Sequence, residues 1–372
     1  MSGSHAEVVS SRNRPAAVAR AVQALQDGLL IGLPTETVYG VAGLLTHNRA
    51  VEKLRQLVGV KGHPVWAPHL AEPQEACDYV ADIPVMASRL MRKLWPGPVS
   101  LQLPVSTADV HGLETRLGKR TASEAVAGGR LTLRCPDNDM ARAILAGAGA
   151  PVAVIGAGTS RAVFEVDDIP ASIGGHLALV VDDGRTRYHK PSTVVDIHEK
   201  GLVIAREGVI AERLIRSMAD QVILFVCSGN TCRSPLAAGI AKKLIAVSLG
   251  AAADELATRG VRVESAGLYA AIDLPATPEA VQAARELGAD ISRHRSHRLT
   301  DDLLRRADVI YTMTHAHRRD LLSRSPAAGD KIFLLDPVGD IADPIGGDVE
   351  RYRQTAQRLA AILRRRLGEM IP

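Results

Sequence analysis

The stretch Val222-Ile223-Leu224-Phe225-Val226-Cys227-Ser228-Gly229-Asn230-Thr231-Cys232-Arg233-Ser234-Pro235 decides the reading of this chain. The unbroken apolar run 222–226 suits a strand buried on both faces. It passes into a short loop holding Gly229 and Asn230, and the loop passes into a helix predicted over 234–247. Ser234 reads as the N-cap and Pro235 as the first helical residue. Leu236, Ile240, Leu244 and Val247 give that helix one apolar face. A loop that leaves the C-terminal end of a strand and enters a helix gathers amide N–H groups at the positive end of the helix dipole, which makes an anion site.

Downstream, further apolar strands are predicted at 261–265, 309–313 and 331–335, with helices at 278–287 and 348–367. Four strands with helical crossovers predict a small doubly wound four-stranded parallel sheet with helices on both faces, over 221–368. Upstream, over 14–212, a helix at 16–26 ends at Gly28, and strand-like runs recur at 29–33, 99–103, 130–135, 152–155, 177–181 and 193–197. Helical stretches at 48–58 and 87–94 lie between them, a mixed α/β twisted-sheet pattern rather than strict alternation. A polar helical stretch at 211–220 places the boundary near residue 215. The fold class is therefore α/β in two domains, which suits 372 residues.

Composition narrows the function. With 46% hydrophobic and 23% charged residues the chain is globular, and it has no apolar run of the ~18 residues a membrane span needs. The polar N-terminus lacks the apolar core of a secretory signal, so a cytoplasmic protein with no membrane partner is expected. Aromatics at 3% argue against base stacking on single strands, while a net charge of +4 permits phosphates, nucleotides or RNA backbone. No Walker A loop is present. The cysteines are Cys77, Cys135, Cys227 and Cys232, with no zinc-finger spacing, so no metal site is expected. Cys77 and Cys135 read as buried small hydrophobes.

Cys227 and Arg233 bracket the loop. The converging N–H groups that hold an anion also favour a thiolate, and a guanidinium grips two phosphate oxygens at once. Attack of the thiolate on phosphorus gives a cysteinyl-phosphate, dividing hydrolysis into two easier steps. Asp343, in Asp343-Pro344 beyond the last predicted strand, is the candidate acid for the leaving group and later the base for water.

On these residues, 221–368 resembles the low-molecular-weight protein tyrosine phosphatase family. The family loop C-x-x-x-x-x-R-[ST] matches Cys227 to Ser234, and Ser265-Ala266-Gly267, His294 and Asp343-Pro344 also fit. The resemblance implies Cys227 as nucleophile, Arg233 as phosphate clamp and Asp343 as general acid, with no cofactor. It implies Ser228, Gly229, Asn230, Thr231, Cys232 and Ser234 as the phosphate-binding loop. Ser234 would support the thiolate, and His294 would stand behind Asn230. The substrate would be a phosphorylated protein. Ile345-Gly346-Gly347 replaces the aromatic residues usual after Asp-Pro, leaving Tyr269 to supply an aromatic wall or to sit in the core. Thr231, Met313-Thr314-His315 and the Asp-Pro segment are closer to bacterial protein-arginine phosphatases, so phosphoarginine is read ahead of phosphotyrosine. Cys232, on the same loop as Cys227, suggests a reversible protective disulfide.

In the front half, hydroxyls, glycines and cations recur after strand-like runs. These are Pro34-Thr35-Glu36-Thr37-Val38-Tyr39-Gly40, Lys61-Gly62-His63-Pro64, Leu94-Trp95-Pro96-Gly97-Pro98, Arg134-Cys135-Pro136, Ser192-Thr193 and Arg206-Glu207-Gly208. In that order they resemble the YrdC-like threonylcarbamoyl-AMP synthases over 14–212. The resemblance implies condensation of L-threonine, bicarbonate and ATP, with Mg accompanying the nucleotide, in the tRNA threonylcarbamoyladenosine pathway. Thr35 and Arg134 would touch threonine, while Lys61, Ser192 and Arg206 would serve the nucleotide and substrate pocket. Partners would be tRNA-modification proteins or RNA, double-stranded RNA included. Three departures stand out: His63 for the family arginine, Gly156-Ala157-Gly158 for Ser-Ala-Asn, and His69-Leu70-Ala71-Glu72 after Pro68, without the family's Leu and nearby His. They leave two readings, a working synthase and a nucleotide- or RNA-binding module of the same fold. Arg293-His294-Arg295 and Arg364-Arg365-Arg366 read as solvated faces.

Overall fold

The computed structural model describes residues 6–59, 66–158, 161–198 and 201–370. Its contacts divide the chain into two compact units, Met1–Ser217 and Met218–Pro372.

The front unit is mixed α/β and holds two sheets. One runs Glu7–Ser10, Leu177–Asp182, Leu30–Leu33, Gly40–Leu44, Val152–Gly156, Ala67–His69 in spatial order. The other runs Gly201–Arg206, Thr193–His198, Val99–Pro104, Arg130–Leu133, Val126–Ala127. A bridge from His69 to Arg134 joins the two sheets. Helix Arg14–Gln26 starts where Asn13 accepts from the Ala16 N–H, with Pro15 in the first turn. It presses Ala17, Ala21, Ala24 and Leu25 onto the first sheet beside helix Asp139–Ala148.

In the rear unit we label β1 (Gln221–Cys227), α1 (Arg233–Ser248), β2 (Val261–Gly267), α2 (Pro278–Glu286), α3 (Asp301–Arg306), β3 (Val309–Thr312), α4 (His315–Arg324), β4 (Ile332–Leu334) and α5 (Val349–Met370). The strands pair in parallel in the order β2-β1-β3-β4. Every β1 residue is buried, because the two faces of the strand feed two cores. Ile223, Phe225 and Cys227 pack with α1, α2 and α5 on one side. Val222, Leu224 and Val226 pack under α3 and α4 on the other. Since β2 and β3 lie on opposite sides of β1, the crevice where the winding reverses opens at the C-terminal end of β1, and Cys227 is that end.

The α1 terminus differs from the sequence reading. The helix begins at Arg233, Cys232 occupies the cap position without a side-chain cap bond, and Ser234 is one residue inside. The Ser234 hydroxyl is turned instead to the Cys227 sulfur. The expected single apolar face also fails: residues from Arg233 to Ala241 are buried around the helix, whereas Val247 is 71% exposed. Small residues permit this close packing. A Cβ on Gly239 would lie 2.4 Å from Ile291 Cγ2.

Candidate active site

Cys227 is a buried free thiol. Its Sγ accepts from the Asn230 backbone N–H at 3.3 Å and lies 3.1 Å from Ser234 Oγ. Asn230 makes the loop possible. Its φ of 55° lies in the left-handed region, which asparagine tolerates better than most residues. Its side-chain amide donates to Ser234 Oγ and Ser265 Oγ, both at 2.9 Å, and its Oδ1 accepts from the His297 N–H at 3.0 Å. The His294 Nε2–H donates to the Asn230 carbonyl at 2.7 Å, and burial lowers the histidine's proton affinity, which keeps the ring neutral. Gly267 closes this layer, because a Cβ there would meet the Ser228 carbonyl at 2.6 Å.

Arg233 is buried, donates to the Ile341 carbonyl at 3.1 Å and forms an ion pair with Asp343. Asp343 remains partly open to solvent, and its loop is tied down by Arg351, which donates to the Asp343 carbonyl at 3.1 Å. Ser228, Gly229 and Thr231 are half-buried. Cys232 is buried and free, with Sγ 3.3 Å from the Tyr352 hydroxyl on α5. Tyr269 is not in the core: it is 60% exposed, donates to Asp320 at 2.8 Å and lies under the Arg324 guanidinium. Sequence reasoning missed His317, 2.9 Å from Ser228 Oγ, and Tyr352, since both reach the loop from distant elements.

The front unit has a cavity of about 560 Å³ lined by Thr35, Arg134, Ser192, Arg206, Gly156, Ala157 and Gly158, among others. Arg134 is buried and bonded to Glu36 at 2.7 Å and to Thr37 Oγ1 at 2.9 Å. Arg206 donates to Ser192 Oγ at 3.1 Å, and burial followed by the charge of Arg134 lowers its proton affinity. The Thr35 hydroxyl donates to the Val38 carbonyl at 2.6 Å. Lys61 and His63 lie outside the described residues. A histidine does line the cavity: His69 donates from Nδ1 to the Ala67 carbonyl at 2.8 Å, and burial, with Arg134 nearby, lowers its pKa from 6.5 to about 3. Cys77, read as buried, is exposed. Cys135 is buried, which pushes its thiol up to about 12. Among the described residues no group of three His, Cys, Asp or Glu side chains is placed to hold a metal ion, and no helix is long and apolar enough to cross a membrane.

Donors converging at a helix start call for an oxyanion, and the sulfur beneath them makes that anion a reaction partner. The rear unit thus has the build of a cysteine-dependent phosphatase. A family model described as low molecular weight phosphotyrosine protein phosphatase matches residues 222–370. The Sua5/YciO/YrdC model, described as telomere recombination, matches residues 23–208, half of the chain. The chain belongs to both families, as a fusion of a Sua5/YciO/YrdC-type domain with a low-molecular-weight protein phosphatase domain. A protein-arginine-phosphatase of Bacillus subtilis (strain 168) is 37% identical over 147 residues, 38% of this chain and 91% of the relative. A threonylcarbamoyl-AMP synthase of the same organism is 27% identical over 215 residues, 55% of this chain, which spans only 57% of that relative. A solved Bacillus subtilis YwlE mutant aligns at 36% identity and TM-score 0.36, over 40% of this chain and 98% of that one.

Proposed function

We propose that the rear unit hydrolyses phosphoarginine on proteins through a cysteinyl-phosphate. The observation that carries this reading is the meeting of Cys227 Sγ, its Asn230 and Ser234 partners, and the Arg233–Asp343 pair at the end of β1. The Cys227 thiolate attacks phosphorus and the P–N bond breaks. Protonated Asp343 gives its proton to the leaving guanidino nitrogen. Water then attacks phosphorus while Asp343 takes its proton, the S–P bond breaks to restore the thiolate, and phosphate leaves. Arg233 and the loop amides hold the equatorial oxygens through both steps, Ser234 stabilises the sulfur, and His294 braces Asn230. Aliphatic Ile345 in place of an aromatic ring, and the likeness to a protein-arginine-phosphatase, favour phosphoarginine over phosphotyrosine. Phosphopeptides of both kinds, assayed with Cys227→Ser as control, test the reading. Faster turnover of phosphotyrosine would reverse the substrate order.

The front unit, in this proposal, makes threonylcarbamoyl-AMP from L-threonine, bicarbonate and ATP, for enzymes that modify tRNA. Buried Arg134 and the more open Arg206 line one cavity and suit a carboxylate and a nucleotide phosphate, which favours the synthase over a bare binding module. Thr35 and Arg134 would bind threonine, and Ser192 and Arg206 the nucleotide side. Pyrophosphate release from ATP that needs both threonine and bicarbonate is the test. Free thiols at Cys227 and Cys232 suit the reducing cytoplasm.

A further inference from the structure

Because β3 lies beside β1 in parallel, the first turn of α4 abuts the loop after Cys227. Thr314 caps that turn by accepting from the His317 N–H at 3.2 Å. The ring of His317 is buried, with Nε2 2.9 Å from Ser228 Oγ. Among the described residues its Nδ1 has no partner. Burial, and next the charge of Arg233, disfavour protonation, so the ring is neutral and one nitrogen carries the hydrogen. A buried N–H left without a partner is rarer than an unmet acceptor, so the hydrogen belongs on Nε2 and the bare lone pair on Nδ1. Nε2–H then donates to Ser228 Oγ, and the serine's own hydrogen is left to point elsewhere.

We propose that His317 is a positioning residue that holds the Ser228 hydroxyl so that its hydrogen is presented to a phosphoryl oxygen in the loop, one donor beyond the main-chain amides. This rests on reading the loop as a phosphate cradle. Ser228 is half-buried and directly follows the nucleophile in the loop. Glutamine can place an amide N–H where Nε2 stands, whereas asparagine is too short.

Binding of inorganic phosphate to the full chain, measured by calorimetry, tests this together with kcat and KM on an aryl phosphate. Ser228→Ala and His317→Asn should each weaken phosphate binding about tenfold, as loss of one hydrogen bond to an anion does. The double variant should be no weaker than either single, and His317→Gln should recover most of the affinity, with melting temperatures checked in parallel. Equal phosphate affinity in wild type and His317→Asn, or losses that multiply in the double variant, would overturn the proposal. No phosphate binding by the wild type would overturn the cradle reading and this proposal together. Phosphate binding that Arg233→Ala abolishes and His317→Asn leaves intact would overturn the role of His317 alone.

Discussion

Asn230 combines a left-handed backbone with an amide bonded at both ends, and substitutions separate the two. Asn230→Gly keeps the backbone and loses the bonds, while Asn230→Ala loses both. Thermal denaturation should therefore find the alanine variant less stable by a further ~1 kcal/mol. Equal melting temperatures would mean that φ contributes nothing. His69 gives a pH dependence. Its pKa is about 3 folded against 6.5 ordinarily, so between those values the unfolded chain takes up a proton that the folded chain refuses. The stability contribution is complete above pH 6.5 and is lost as pH falls through that window, at up to ~1.4 kcal/mol per unit. His69→Asn should flatten this acid limb in denaturant titrations. The residues legible from sequence, such as Cys227, Asn230 and Arg233, share one local segment whose spacing states their chemistry. His317, Tyr352 and the cavity role of His69 depend on tertiary approach. So does Arg366, read as solvated but stacked over Tyr311 and bonded to the Leu334 and Leu335 carbonyls.

At the scale of elements, α1 rests on the segment that carries the braces of the loop. Ile291 fills the notch at Gly239, and His294 follows three residues on. Gly239→Ala should lower both stability and turnover, and adding Ile291→Ala should restore part of each. A turnover loss that persists once stability is restored would show that the segment is not coupled this way. The rear strands were readable because continuous apolar runs mark strands buried on both faces. Several front strands were not. Gly40–Leu44 has the sequence GVAGL, and its glycines are poor strand formers. Gly40 and Gly43 are accepted there because Val154 and Leu30 crowd the space a side chain would need.

For the whole molecule, three hydrophobic clusters of the described residues each draw their members from one unit alone. A fragment spanning 218–372 should therefore fold and retain full phosphatase turnover, as circular dichroism and an aryl phosphate assay would report. An insoluble or inactive fragment would contradict that independence. The Arg233–Asp343 ion pair carries a further consequence. The guanidinium already has a resident counter-ion, so an arriving dianion must evict the carboxylate before it is seated. On the proposed mechanism, entry of substrate is an exchange of anions rather than the filling of a naked positive well. Removing the occupant with Asp343→Asn should tighten retention of phosphate while slowing catalysis, so that, on the proposed mechanism, the side chain that protonates the leaving group would also keep product from lingering.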